Sequence, residues 1–351
     1  MSPPSRKPGR IRSLVMTLGL GALGGALFHL LDLPLAWMLG AMLLTTVASM
    51  AGFRLAMPKV LRDPMVAVLG VLLGSGFDLE LLVAARDWLP TIAVLPFYVV
   101  FVGGVGFLYL RHVTGLDVRT AFFSATPGGF GEMIVMGEQA GGDVRRIALM
   151  HSTRVLLIVL MVPFLVRSLF FGNADLPMAT TDTTAGVDVV ELLVLLACAV
   201  IGYKAGQWAK LPGGTIVGPM ILSAAAHIAG LAHGAPPFAV VAVAQLVIGA
   251  GIGTRFSGFP LRDVLLTLRA GLGLVLTLFA ATFAVGAIAH TLTSASPIAL
   301  FLALAPGGVA EMSLVALALG IEPAYVAIHH IIRIALVVMM AGPVFKRLER
   351  P

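Results

Sequence analysis

ATPGGFGEM at residues 125–133 and LAPGGVAEM at residues 304–312 are two versions of one motif, and residue 304 follows residue 125 by 179 positions. The similarity extends well beyond the motif. A Leu-Pro pair lies near the start of each copy and a His-x-x-Arg sequence near its end. These sites are Leu33-Pro34 and Leu211-Pro212, then His151 with Arg154 and His330 with Arg333. The chain is therefore built from two copies of one unit.

The duplication divides the chain into four parts. They are a basic N-terminus (1–13), the first unit (14–172), a polar linker (173–188) and the second unit (189–347). The linker contains three Asp and neither Lys nor Arg. This composition is typical of a hydrophilic connection between two membrane domains.

The composition of the chain is that of a membrane protein. Hydrophobic residues make up 59% of the sequence and charged residues 11%, and the mean hydropathy is +1.01. Soluble domains carry about a quarter charged residues. The first unit has apolar stretches at 14–31, 34–50, 60–77, 89–109 and 147–164, each long enough for a membrane-crossing helix. We expect an all-α membrane protein with about ten transmembrane helices in two five-helix repeats.

A further segment in each unit, 113–142 in the first, is interrupted at its middle. Proline removes a helical hydrogen bond and glycine favours non-helical dihedrals, so a continuous helix through this point is not expected. The segment is predicted to be a re-entrant hairpin or a broken crossing helix. Its tip residues are Pro127, Gly128 and Gly129 in the first unit and Pro306, Gly307 and Gly308 in the second.

The distribution of Lys and Arg favours the hairpin. With five crossings per unit and a cytoplasmic N-terminus, 19 basic residues face the cytoplasm and only Arg86 and Arg167 face the other side. Six crossings per unit would give 13 inside and 8 outside. Because basic loops stay cytoplasmic, we predict inverted repeats in the bacterial inner membrane, with cytoplasmic termini and a periplasmic linker.

Four strongly ionisable residues lie deep in apolar sequence: Glu132, Arg154, Glu311 and Arg333. Charges at membrane depth are usually paired or face a water-filled cavity. Each Glu follows a glycine tip by three residues, where it can cap its half-helix or bind substrate or protons. Both readings stay open at this point.

Arg154 and His151 share one helical face, as do Arg333 and His330. One interpretation is a structural Arg–Glu pair with a packing histidine. The other is an anion site formed by the two Arg and the half-helix N-termini, with His151, His330 or the Glu residues carrying protons. His329 points elsewhere and is interpreted as a packing residue. The glycine groups at 24/25, 103/104, 249/251/253 and 271/273 are interpreted as close helix contacts.

The sequence gives little support to catalysis. It has one cysteine, eight histidines, no HExxH motif and no GxSxG motif. We therefore expect no enzymatic activity, no metal site and no cofactor.

The two PGG-containing repeats, the Leu-Pro pairs and the closing His-x-x-Arg resemble the AbrB-type membrane proteins of Gram-negative bacteria over nearly the whole chain. The resemblance implies a duplicated hydrophobic domain. Members are named as regulators of AidB expression or as ammonia monooxygenases, and they are unrelated to the small DNA-binding AbrB of Gram-positive bacteria.

Inverted repeats with paired Gly/Pro-interrupted segments are typical of secondary transporters. The leading hypothesis is thus a transporter of a small anionic solute. Its central site is formed by the six ionisable residues named above, and the sequence does not decide whether transport is coupled to protons. A membrane-embedded regulator that acts indirectly, without binding nucleic acid, is the alternative. A membrane oxygenase is a second alternative, with less support from the sequence. A homo-oligomer is compatible with the sequence.

Overall fold

A computed structural model describes residues 9–171 and 189–348 of the chain. Within these ranges every regular element is helical. The α-helices are α1 (Arg10–Leu30), α2 (Ala36–Met50), α3 (Lys59–Gly74), α4 (Leu79–Ala84), α5 (Leu89–His112), α6 (Val118–Ala125), α7 (Phe130–Gln139), α8 (Val144–Val166), α9 (Val189–Trp208), α10 (Gly214–Ile228), α11 (Phe238–Gly253), α12 (Leu261–Leu292), α13 (Pro297–Leu304), α14 (Val309–Ala318) and α15 (Pro323–Leu348). Most of the basic N-terminus and the whole linker 173–188 lie outside the described residues.

The five helices predicted for the first unit are confirmed as α1, α2, α3, α5 and α8. Seven helices of the described chain are long and apolar enough to cross a membrane: α1, α5, α8, α9, α11, α12 and α15, some with short flanking turns. Helices α2, α3 and α10 have 15, 16 and 15 residues. At 1.5 Å per residue they are roughly 22–24 Å long, shorter than a typical hydrocarbon core. The all-α membrane fold is confirmed, while ten full crossings stay a prediction.

The interrupted segment of the first unit folds back on itself. Asp117 and Asp143 cap the helices α6 and α8 by accepting hydrogen bonds from Thr120 N and Arg146 N. Between them the chain turns at residues 126–129, and the backbone N–H of Asp143 donates to Thr120 Oγ1 at 2.9 Å. The start of α6 and the end of α7 are thus adjacent. We call α6 and α7 hairpin 1, and the equivalent α13 and α14 hairpin 2.

Helices of the two units pack side by side in the same direction. Helix α3 runs parallel to α10, and α2 runs parallel to α11. The facing pairs are Gly70 with Ile216, Gly74 with Met220, Gly249 with Met38 and Gly253 with Met42. The two units are consequently interleaved, and neither forms a separate bundle.

The units are inverted relative to each other. Arg62, in the first turn of α3, lies beside Gly251 near the end of α11, so α3 is antiparallel to α11 and to its partner α2. Helix α10 is the counterpart of α2 in the second unit, yet it runs with α3. Equivalent helices therefore point in opposite directions, as the repeat model predicts.

Glycines create the close contacts between these helices. A Cβ on Gly249 would overlap the Met38 carbonyl oxygen, and one on Gly24 would overlap that of Gly40. The packing interpretation is confirmed there, but it is wrong for Gly103 and Gly104. A Cβ at either of these positions would meet no atom within 4 Å, because they lie on an open face of α5.

Helix α8 lies at the centre of the molecule, whereas α1 and α9 lie at its edges. About two thirds of the residues in the apolar part of α8 are buried (67%), against 28% for α1 and 22% for α9. Side chains such as Leu23, Leu27, Leu193 and Leu196 are exposed on the edge helices. An apolar outer surface of this kind is favourable only in contact with lipid or another apolar surface. The central position of α8 places Arg154 in the core.

Candidate functional site at the hairpins

Two buried arginines lie where the first helix of each hairpin ends. Arg154 is 3% exposed and Arg333 is 1% exposed. Arg154 Nη1 donates to the carbonyl oxygens of Ala125 (3.3 Å) and Thr126 (3.2 Å). Arg333 Nη1 donates to the equivalent carbonyls of the second unit, those of Leu304 and Ala305, and its Nη2 donates to Gly307 O at 2.6 Å.

These contacts have a simple physical cause. A helix leaves its last carbonyls without internal partners, and its C-terminal end is electronegative. The PGG break creates such an end inside the protein, and the guanidinium satisfies it. The proposed Arg–Glu brace is not formed, because within residues 9–171 and 189–348 no ion pair joins either arginine to a carboxylate. Each arginine instead joins its hairpin to the long helix that carries the arginine, through hydrogen bonds to backbone carbonyls of the hairpin.

The two glutamates stay with their own half-helices. Glu132 and Glu311 occupy the third position of α7 and α14, and each carboxylate folds over the glycine that precedes its helix, Gly129 or Gly308. A Cβ on either glycine would overlap the carboxylate oxygen. This is the position of the glutamate in a capping box, near the positive end of the helix. Both glutamates are half-buried.

The two histidines differ between the units. His151 Nδ1 lies 3.0 Å from Arg154 Nη2, and its Nε2 lies 2.8 Å from Phe123 O. His330 makes no equivalent contact with its arginine. Its Nδ1 and Nε2 instead lie 2.9 Å and 3.1 Å from the carbonyls of Val326 and Ala305. The pseudo-symmetry therefore holds for the arginines and fails for the histidines.

Tyr98 connects the two halves. From α5 of the first unit, its hydroxyl donates to Leu304 O on hairpin 2 and lies 3.0 Å from Thr282 Oγ1 on α12. The positive charges of Arg154 and Arg333 both act electrostatically on Tyr98, and that of Arg333 also acts on Arg154. The two arginine centres are thus linked through Tyr98. Tyr98 is not among the site residues predicted from the sequence. An aromatic hydroxyl within an apolar helix was the signal available.

Several polar atoms in this region have no hydrogen-bond partner within the described protein. They are Arg154 Nε, Arg333 Nε and the hydroxyl oxygens of Ser124, Thr153 and Ser313, all fully buried. Buried polar atoms of native proteins are nearly always hydrogen-bonded, to water or a ligand if not to protein. These hydroxyls are not predicted from the sequence, since isolated Ser and Thr residues are common in membrane helices.

His329 packs away from the site, which confirms its sequence interpretation. Its Nδ1 lies 2.7 Å from Tyr325 O and its Nε2 lies 2.9 Å from Thr91 Oγ1. The ring packs on Tyr325, with 4.2 Å between ring centroids. The hydrogen bond with Thr91 joins α15 to α5.

Two clefts open toward the core from opposite ends of the molecule. One, of about 810 Å³, is lined by Arg145, Arg146 and Arg269 and reaches Met150, the neighbour of His151. The other, of about 370 Å³, is mainly apolar and is lined by the Leu33-Pro34 pair and by the end of α14. The residues that line a given cleft lie at one end of the molecule. The distribution of basic residues assigns all residues of that cleft to the same membrane face, and the two clefts to opposite faces.

Known proteins are similar to this chain over almost its full length. Residues 37–349 match the family model described as "Transition state regulatory protein AbrB". "Uncharacterized protein YhjN" of Bacillus subtilis (strain 168) is 25% identical over 353 residues, which cover 95% of this chain and 92% of the relative. "Putative regulator AbrB" of Escherichia coli (strain K12) is 26% identical over 341 residues, 96% of this chain and 94% of the relative.

Proposed function

The chain belongs to the AbrB family, and from this premise we propose that it is a secondary transporter of a small anionic solute, bound between the hairpins of two inverted repeats. The observation that carries the proposal is the pair of buried arginines. They add two positive charges to the core, and within the described residues neither has a carboxylate partner. A bound anion would offset their repulsion and accept from the unpartnered Nε–H groups.

The architecture supports the same proposal. Transporters with inverted repeats bind substrate at the repeat interface, beside interrupted helices. Here Arg154 belongs to one repeat and Arg333 to the other, and a cleft opens toward the core at each end of the molecule. In the membrane we propose that the hairpins are re-entrant, hairpin 1 from the cytoplasmic face and hairpin 2 from the periplasmic face of the inner membrane. The proposed chemistry is binding and translocation without catalysis or a resident cofactor.

The proposal is tested with purified protein and a panel of anions: acetate, lactate, succinate, sulfate and inorganic phosphate. At least one of these anions should raise the unfolding temperature of the protein in a saturable manner, and proteoliposomes containing the protein should take it up. Arg333→Lys should lose both effects, since an ammonium group cannot reproduce the fork of hydrogen bonds. Arg86→Lys, at an exposed ion pair with Asp87, is the matched control. Uptake of ammonium alone, with no response to any anion, would overturn the proposal.

A second candidate is a membrane-embedded regulator, favoured by the names of the family model and of the E. coli relative. We propose that any regulation is indirect and follows the concentration of the transported solute. In a deletion strain, the transport-inactive Arg333→Lys variant should then fail to restore normal gene expression. Full restoration by this variant would favour a direct regulatory role and argue against transport as its cause.

A further inference from the structure

Arg255 lies against the tip of hairpin 1, although its sequence position is between helices. Helix α11 continues into a short 3-10 helix, Thr254–Phe256, that carries this side chain. The guanidinium carbon of Arg255 is 4.4 Å from the centroid of the Phe130 ring. Phe130 is the first residue of α7, directly after the glycine tip, and the ring of His151 meets it edge-on at 6.3 Å. Phe130 is therefore held between a cation and the arginine-bound histidine.

Charged groups of hairpin 2 and of α3 act on Arg255. Glu311, in the first turn of hairpin 2, attracts its guanidinium, and Arg62 on α3 repels it. Arg62 itself forms an ion pair with Asp63 at 3.4 Å. Arg255 thus contacts hairpin 1 through an aromatic ring, and the carboxylate of hairpin 2 attracts it electrostatically without an ion pair between the two among the described residues.

This arrangement exists in only one half of the protein. The residue equivalent to Arg255 in the first unit is Gly76, and the residue equivalent to Phe130 in the second unit is Val309. Hairpin 2 therefore has neither the cation nor the ring. A contact present on only one side of an inverted repeat can hold one hairpin in place without holding the other.

We propose that Arg255 is a latch for hairpin 1 and couples it to hairpin 2. Stacking on Phe130 keeps hairpin 1 closed, and the negative charge of Glu311 draws the same guanidinium away from the ring. An anion that enters beside hairpin 1 competes for the guanidinium in the same way. The role of the latch in transport rests on the proposed function, whereas the latch itself can be measured without any substrate.

The experiment measures opening of hairpin 1 in the purified full-length protein. Ser124 on α6 is fully buried, so Ser124→Cys in a Cys198→Ala background reacts with a maleimide only when the hairpin opens. Arg255→Gln and Phe130→Leu should each speed labelling about three- to tenfold, the range expected for loss of one cation–π contact. Arg255→Lys should have a smaller effect, and Glu311→Gln should slow labelling. Arg262→Gln, an exposed arginine seven residues further on, is the control.

The latch is overturned if labelling is unchanged in Arg255→Gln and Phe130→Leu, or if Arg262→Gln accelerates it equally. Should Arg255→Gln fail to fold, Phe130→Leu carries the test, because it removes the ring without changing any charge. Slower labelling in Glu311→Gln supports the coupling of the two hairpins, and faster labelling refutes it. If Arg255→Gln and Phe130→Leu accelerate labelling but the protein transports no anion, the result supports the latch and contradicts the proposed transport function.

Discussion

Arg154 and His151 form a hydrogen bond across one turn of α8, with 3.0 Å between Nη2 and Nδ1. Arginine only donates, so Nδ1 accepts, and the imidazole proton lies on Nε2, which donates to Phe123 O. His151 is therefore a neutral imidazole between the guanidinium and hairpin 1. To carry a proton, as the sequence analysis suggests, it would first have to give up its bond to Arg154.

Replacing His151 should destabilise the protein. His151→Ala leaves the Phe123 carbonyl and one Arg154 N–H without this partner, and each such loss costs about 1–3 kcal/mol when the group is buried. We expect a clearly lower midpoint of thermal unfolding in detergent. His112→Ala is the control, since His112 is exposed and bonds only to Leu108 O of its own helix. Equal midpoints for the two variants would contradict the proposed arrangement.

Glu132 and Arg154 should be energetically independent. No ion pair joins these two described residues, because Arg154 bonds to carbonyls and Glu132 folds over Gly129. A double-mutant cycle with Glu132→Gln and Arg154→Gln should give a coupling free energy below about 0.5 kcal/mol, as for residues without shared contacts. If the double variant loses much less stability than the sum of the two single losses, Glu132 and Arg154 do form a stabilising pair.

The close helix contact at Gly249 should not tolerate a methyl group. In Gly249→Ala the new Cβ overlaps the Met38 carbonyl oxygen, and separating α2 from α11 should cost about 1–3 kcal/mol or more. Gly104→Ala is the matched control, because its Cβ would meet no atom within 4 Å. Folded yield and unfolding temperature should fall for the first variant alone. A harmless Gly249→Ala would argue against the parallel packing of these helices.

The distribution of basic residues predicts the orientation of the protein in the membrane. In a Cys198→Ala background, Ser294→Cys between α12 and hairpin 2 should react with an impermeant maleimide in intact cells. His112→Cys at the end of α5 should react only after the inner membrane is opened, because the positive-inside rule places that end in the cytoplasm. The reverse labelling pattern would invert the whole assignment, and labelling of both sites in intact cells would reject it.

Much of the fold follows from local sequence patterns. The repeated PGG motif, the apolar lengths and the spacing of charges are sufficient to predict two units, five of the helices in the first unit, the break at residues 126–129 and the burial of Arg154 and Arg333. These features depend on the backbone geometry of a few neighbouring residues and on the energy of apolar surface in lipid. Both quantities can be read along the chain without knowing what lies beside it.

The partners of the buried groups are decided only by the tertiary structure. Arg154 bonds to carbonyls instead of to Glu132, because the broken helix end presents two unsatisfied acceptors at the place where α8 packs. Arg255 is one of the 19 basic residues that the charge count places on the cytoplasmic side, and only the packing of α11 shows that it lies on Phe130. Gly103 and Gly249 look alike in sequence, but only Gly249 faces another backbone. Such choices depend on contacts between residues far apart in the chain, and no local pattern specifies them.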